Sequence, residues 1–76
     1  MTHHEIAVET IPVVVNGQVR EVAAGGTVRA LLLDLEIDPD VVVVERNGEI
    51  LTRDRFAGVS LEPDDVLEIV HFVGGG

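Results

Sequence analysis

Two Asn-Gly dipeptides decide most of what this chain can become. Asn16-Gly17 lies between Val13-Val14-Val15 and Gln18-Val19-Arg20-Glu21-Val22, and Asn47-Gly48 lies between Val41-Val42-Val43-Val44-Glu45-Arg46 and Glu49-Ile50-Leu51. Asparagine and glycine tolerate the positive φ values of a type I′ turn, whose twist matches that of paired strands. Each dipeptide therefore predicts a two-residue hairpin. Between the hairpins the hydrophobic period changes. Gly25-Gly26 breaks the second strand, Thr27 is placed to cap a helix, and Val28, Leu31, Leu32 and Leu35 recur on one helical face. Arg29, Asp34 and Glu36 fall off that stripe. Proline disfavours helical geometry in the residue before it, so Asp38-Pro39-Asp40 is expected to end a helix of about ten residues. Leu61-Glu62-Pro63-Asp64-Asp65 predicts a turn, with Val66 to Val73 as a last apolar strand.

The order is thus strand, strand, helix, strand, short strand, turn, strand, an α+β pattern. A helix this short covers one face of a sheet. The expectation is a mixed sheet of four to five strands with one main helix packed on one face. Val41 to Val44 is apolar without alternation, which predicts a strand with both faces at least partly covered. Pro12 lacks the N–H a central strand needs. Residues 1–12, despite the extended pattern Glu5-Ile6-Ala7-Val8-Glu9, are accordingly expected to be an extension, disordered or loosely paired at an edge. The domain is expected over residues 13–73.

Composition excludes several classes of function. The 76 residues make one domain. At this size only roughly 60% of the unfolded surface is buried, so the core must be compact. That core is aliphatic, with two Phe and neither Trp nor Tyr. Without cysteine there is no disulfide, thiolate zinc site or cysteine nucleophile. The net charge of −9 repels phosphate backbones and argues against nucleic acid as a partner, while steering the chain toward a basic docking surface. All basic residues are arginines, so no lysine can accept an isopeptide bond. Apolar runs such as Val41 to Val44 are far short of a membrane span, and no secretory signal is recognisable. A cytoplasmic protein, free of membranes and monomeric when alone, is expected.

Gly74-Gly75-Gly76 follow the last strand pattern directly. Glycine loses the most entropy on ordering and has no side chain to pack, so three in a row are not expected to hold a fold together. They predict a flexible tether, residues 74–76, able to reach about 10 Å. Such a tether can thread a channel too narrow for side chains and deliver the Gly76 carboxylate to a reagent inside another protein. A merely frayed terminus is the competing reading, and the tail alone does not decide between them.

Other groupings point to structure. His3-His4 and His71 do not form the three or four converging ligands of a zinc site, so no metal is expected. Asp38-Pro39-Asp40 and Asp64-Asp65 read as turn residues, because aspartate there bonds nearby backbone. Gly25-Gly26 has no phosphate-loop context. In the last strand Leu67 and Ile69 alternate onto one face, with Glu68, Val70 and Phe72 on the other. If the first pair meets the helix, Val70 and Phe72 face outward close to the tail, and exposed apolar residues in a patch mark interaction sites. Val70 and Phe72 are therefore expected to bind a partner, the alternative being that Phe72 folds back onto the sheet edge. Arg53-Asp54-Arg55 is either ordinary surface charge or a further docking contact, through Arg53 and Arg55.

With this order in hand, the chain resembles the ThiS family, sulfur carriers of the ubiquitin-like β-grasp superfamily, from about Val13 to Gly76. The resemblance is carried by Val13-Val14-Val15-Asn16-Gly17, by Ala24-Gly25-Gly26-Thr27-Val28 running into Leu31-Leu32, by Val44-Glu45-Arg46-Asn47-Gly48-Glu49-Ile50-Leu51, and by Pro63-Asp64-Asp65-Val66-Leu67-Glu68-Ile69-Val70 leading to the glycines. It implies a sheet in which the last strand lies centrally, beside the first. It further implies a carrier that is not an enzyme and binds no cofactor itself. Its Gly76 carboxylate would be adenylated by a ThiF-like, ATP-using adenylyltransferase. A sulfurtransferase or cysteine desulfurase would supply the sulfur for a thiocarboxylate, which thiazole synthase would consume in thiamine biosynthesis. Two features depart from the family pattern: Gly74 makes a third terminal glycine, and residues 1–12 precede the first strand. A MoaD-like carrier, a tRNA-thiolation carrier and a ubiquitin-like interaction module that carries no sulfur remain the alternatives.

Overall fold

The computed structural model describes residues 9–72. Strands β1 (Thr10–Val15) and β2 (Gln18–Ala23) form one antiparallel hairpin, and helix α1 (Val28–Asp34) follows. Strands β3 (Val42–Arg46) and β4 (Glu49–Leu51) form the second hairpin, and β5 (Val66–His71) is the last strand. Short 3-10 turns occupy Pro39–Val41 and Arg53–Arg55. The five strands lie in the order β2-β1-β5-β3-β4, with β5 parallel to β1 and antiparallel to β3.

Both Asn-Gly turns have the positive φ pair that the sequence predicts, with Asn16 at 49° and Gly17 at 83°, Asn47 at 52° and Gly48 at 85°. Their side chains do more than make turns. Asn16 brackets Ile69 of β5, its Oδ1 accepting from the Ile69 N–H at 2.7 Å and its Nδ2 donating to the Ile69 carbonyl at 3.2 Å. Asn47 holds Val66 in the same way, accepting the Val66 N–H on Oδ1 at 2.9 Å while its own backbone N–H donates to the Val66 carbonyl at 2.8 Å. Each hairpin turn thus grips β5 between the two hairpins. A side-chain amide can extend a sheet ladder because it carries the same donor and acceptor as a peptide group.

Helix α1 starts as expected, with the Thr27 hydroxyl accepting from the Ala30 N–H at 3.1 Å. It ends earlier than Asp38-Pro39-Asp40. Glu36 adopts φ 59°, its N–H donates to the Leu33 carbonyl at 3.0 Å, and the Ile37 N–H reaches back to the Leu32 carbonyl at 2.8 Å. This is a Schellman closure, and it turns the half-buried Ile37 back onto the core. Asp38 caps the separate 3-10 turn instead, accepting from the Asp40 N–H at 2.9 Å. A left-handed conformation costs a non-glycine residue roughly 1–2 kcal/mol, part of which glycine forfeits through its freer unfolded state. Glu36 is exposed, so Glu36→Gly is expected to raise stability by about 0.5–1 kcal/mol, read as a higher urea midpoint with an unchanged slope.

One strand boundary differs from expectation. Strand β1 begins at Thr10 and contains Pro12, inside the segment expected to be an extension. The N–H groups of Val14 and Asn16 donate toward β5, so the Pro12 nitrogen, two residues earlier, faces the same side. Pairing with β5 begins only at Val14↔Val66, so the missing donor leaves the ladder to β2 intact. Residues 1–8 lie outside the described part. In the run Val41 to Val44 the second face is partly covered, as expected, at Val43. Val42 and Val44 are buried under α1, while Val43 is half-buried and Val41 exposed.

The core is a single cluster between the sheet and α1, joining Val13, Val15, Leu32, Val44, Leu67 and Ile69 with Val28 and Leu31. Its remaining wall is irregular. Phe56, Val59 and Leu61, in the connection between β4 and β5, are buried, and the loop is pinned to the helix start by Val28 N–H to Val59 O at 3.1 Å and Leu61 N–H to Gly26 O at 2.8 Å. Sequence periodicity did not place these residues, because a loop has no period.

Candidate functional site

Gly74, Gly75 and Gly76, expected to form the reactive tether, lie outside the described residues, so the site is built from what leads up to them. The alternation of β5 sets its geometry. Leu67 and Ile69 are buried against the core, whereas Val70 is 61% exposed and Phe72 50% exposed, as expected from the strand pattern. Val43 of β3 lies directly opposite Val70, and the Phe72 N–H donates to the Val41 carbonyl at 2.8 Å. Val41, Val43, Val70 and Phe72 therefore gather at the end of the sheet where β5 finishes. The sequence reading named only the β5 half of this group. Register with β3, which supplies the other half, requires the tertiary pairing.

Arg53 reaches the same end. Its Nη1 lies 3.7 Å from Asp40 Oδ1, next to Val41, in a pair exposed on both sides. An exposed pair at that distance contributes little to stability, so it leaves Arg53 available to a partner. Arg55 occupies the last position of the same 3-10 turn and is exposed. His71 is exposed at the end of β5, while His3 and His4 lie outside the described residues. An open groove of about 350 Å³ between α1 and the first hairpin contains one ionisable side chain, Arg20, and so no acid–base or nucleophile pair.

The Asp64-Asp65 turn is built as structure. Asp64 has φ 69°, and Asp65 is buried. Asp65 Oδ2 accepts from Arg46 Nε at 2.8 Å and from the Glu62 N–H at 2.9 Å, and Oδ1 accepts from Asn47 Nδ2 at 2.9 Å. Burial pushes the Asp65 pKa up, but the bonds from Asn47, the Glu62 N–H and Arg46, with the Arg46 charge, outweigh it and hold the carboxyl below its ordinary value. This carboxylate links the turn before β5 to the β3–β4 hairpin. Its donors are fixed and fully engaged, which suits a strut and not a proton carrier.

A five-stranded mixed sheet with a central last strand, clasping one helix, is the ubiquitin-like β-grasp, here with an exposed apolar end leading into a glycine tail. Residues 13–76 match the ThiS family. The sulfur carrier protein ThiS of Bacillus subtilis is 49% identical over 51 residues, covering 67% of this chain and 77% of that protein. Thiazole synthases of Magnetococcus marinus and Paramagnetospirillum magneticum are 43% and 48% identical over 61 and 63 residues, and in each the matching stretch is 19% of the protein's length. A crystal structure of the thiamine biosynthesis protein ThiS from Geobacter metallireducens superposes with a TM-score of 0.76 at 35% identity, covering 87% of this chain and all of that one. The chain belongs to the ThiS family.

Proposed function

We propose that this chain is a sulfur carrier of thiamine biosynthesis, whose Gly76 carboxylate is the reacting group. The observation that carries the reading is the run of β5 into Gly74-Gly75-Gly76 in a member of the ThiS family. A carboxylate is a poor acyl donor at neutral pH, because its oxygen is a poor leaving group. An ATP-using, ThiF-like adenylyltransferase converts it to an acyl-adenylate with release of pyrophosphate. The terminal sulfur of a persulfide on a sulfurtransferase or cysteine desulfurase then displaces AMP. Reduction of the resulting acyl disulfide by a thiol leaves a thiocarboxylate and frees the donor's cysteine thiol. That arm presents reactive sulfur to thiazole synthase without free sulfide. The similarity of this chain to part of two thiazole synthases favours that client over molybdopterin or tRNA thiolation. In this reading the chain is a substrate of its partners and not an enzyme, ATP is bound by the activating partner, and the setting is cytoplasmic. Among the described residues no helix is long and apolar enough to cross a membrane.

The test is the intact mass after incubation with ATP, the adenylyltransferase and a sulfur source. The expected product carries one sulfur in place of one oxygen. A protein whose mass never changes under conditions that load another ThiS carrier would refute the reading.

Val70 and Phe72 form the docking end in this proposal, with Arg53 near it through its pair with Asp40 and Arg55 as a further contact. A buried aromatic anchor at an interface contributes about 2 kcal/mol or more, while rim charges act chiefly on association rate. Phe72→Ala is expected to weaken binding to the adenylyltransferase at least about tenfold. Because Phe72 is already half-exposed, the stability loss should stay below about 1 kcal/mol. Calorimetric titration beside urea denaturation checks both, and normal binding by the variant would remove Phe72 from the interface.

A further inference from the structure

The face of the sheet turned away from α1 is apolar at both ends and acidic in the middle. Along β5 the outward positions are Val66, Glu68 and Val70, all exposed. Register places Val14 and then Val19 beside Val66, Val43 beside Val70, and Glu45 and then Ile50 beside Glu68. Glu45 and Glu68 are therefore directly opposed across an antiparallel pair, on the same face and both exposed. Like charges in that position destabilise a sheet. No arginine lies on the outward positions of any of the five strands. Arg20 and Arg46 face the helix side by register, and Arg29, Arg53 and Arg55 lie outside the strands. The outward carboxylates Glu21, Glu45 and Glu68 thus stand on this face without a basic neighbour in the ladder. Of the large apolar side chains exposed among the described residues, Val19, Ile50, Val66 and Val70 belong to this same face.

An uncovered face with unrelieved negative charge at its centre and exposed aliphatic groups around it is complementary to one kind of surface. Self-association would oppose Glu45 and Glu68 to the same carboxylates of a second chain with net charge −9, so a second copy is disfavoured. Resting on the carrier reading above, we propose that the Glu45–Glu68 pair receives a single basic side chain, an arginine, projecting from an otherwise apolar surface of the activating adenylyltransferase. The planar guanidinium offers donors to two carboxylates at once, and apolar contact with Val66, Val70 and Ile50 excludes water around it. The repulsion stored in the free protein is relieved on binding. Stability and affinity are consequently set against each other at these two residues.

That opposition makes the test specific. Glu45→Gln, Glu68→Gln and the double variant, each in the full chain, are compared with Glu21→Gln for urea midpoint and for affinity to the adenylyltransferase. Glu45→Gln and Glu68→Gln are expected to raise the midpoint and to weaken binding about tenfold each, with a loss in the double variant smaller than the product of the two. Glu21→Gln, away from the pair, is expected to change affinity less than twofold. Equal losses for all three single variants would reduce the effect to general charge and overturn the pair. Unchanged affinity in the double variant would overturn it while leaving the carrier reading intact. A wild-type protein that dimerises through this face, or fails to bind the adenylyltransferase, would overturn the proposed occupant. Failure to form a thiocarboxylate in the mass measurement would separately identify failure of the carrier reading.

Discussion

Deletion of Gly76 is expected to abolish adenylation and thiocarboxylate formation completely while leaving the folded domain unchanged. The reacting atoms in the proposed cycle belong to the terminal carboxylate, and without cysteine the chain has no thiol that could carry the sulfur in its place. Removing one glycine exposes a carboxylate on Gly75, one residue short of its present reach. A residue spans at most about 3.6 Å of extended chain, and a misplacement of about 1 Å can cost a hundredfold where reacting groups must be aligned. Appending residues after Gly76 replaces the carboxylate with an amide and should be equally inactivating. Neither change touches the core, whose last member in the chain is Ile69. Far-UV circular dichroism and the urea midpoint should therefore match wild type while mass spectrometry finds no adenylate or thiocarboxylate. A truncated protein that still acquired sulfur would place the reacting group elsewhere.

The largest stability effect outside the aliphatic core is expected at Asp65. Asp65→Ala strands three donors at once: Arg46 Nε, Asn47 Nδ2 and the Glu62 N–H. Breaking a buried ion pair costs about 3–5 kcal/mol, and a hydrogen bond to a charged group contributes about 1.5–3. The Arg46 side chain retains 26% exposure, so water recovers part of its loss. The expected cost is about 2–4 kcal/mol, a large share of the roughly 4–11 kcal/mol that a chain of this length has in total. Asp65→Asn should lose less but not recover wild-type stability, because an amide cannot accept on both sides from donors that surround it.

The pH dependence has a definite sign. The folded pKa of Asp65 lies below its unfolded value, so its contribution is complete above about pH 4, the ordinary aspartate range, and is lost as pH falls through the folded value. The gap in urea midpoint between wild type and Asp65→Ala should therefore be widest near neutrality and narrow on acidification. A gap independent of pH would mean that Asp65 acts through packing alone.

Local chemistry was legible in the sequence where a short stretch carries its own instructions. Asn16-Gly17 and Asn47-Gly48 form the turns their φ tolerance predicts, and Thr27 caps α1 with its own hydroxyl. The outward direction of Val70 and Phe72 followed from period-two alternation once Leu67 and Ile69 were assigned inward. Where the reading failed, the determining interaction was distant or aperiodic. Pro12 by itself argues against an inner strand, but whether its missing donor matters depends on where β5 starts pairing. Nothing local in Glu36 favours a left-handed residue, so the sequence alone predicts a helix that runs on to the proline. The return of Ile37 to the core stabilises that turn.

The chain's sequence by itself determined two hairpins, one amphipathic helix and an apolar last strand running into three glycines. These follow from backbone sterics and hydrophobic period, which act over a few residues. The family resemblance implied the central place of β5, but only the tertiary structure decided that the side chains of Asn16 and Asn47 hold it between the hairpins. It also decided that Asp65 ties its turn to Arg46, that Phe56 completes the core, and that Glu45 stands opposite Glu68. Each of these pairs residues far apart in sequence. Such contacts form only when burial of a common core offsets the loop-closure entropy of bringing them together.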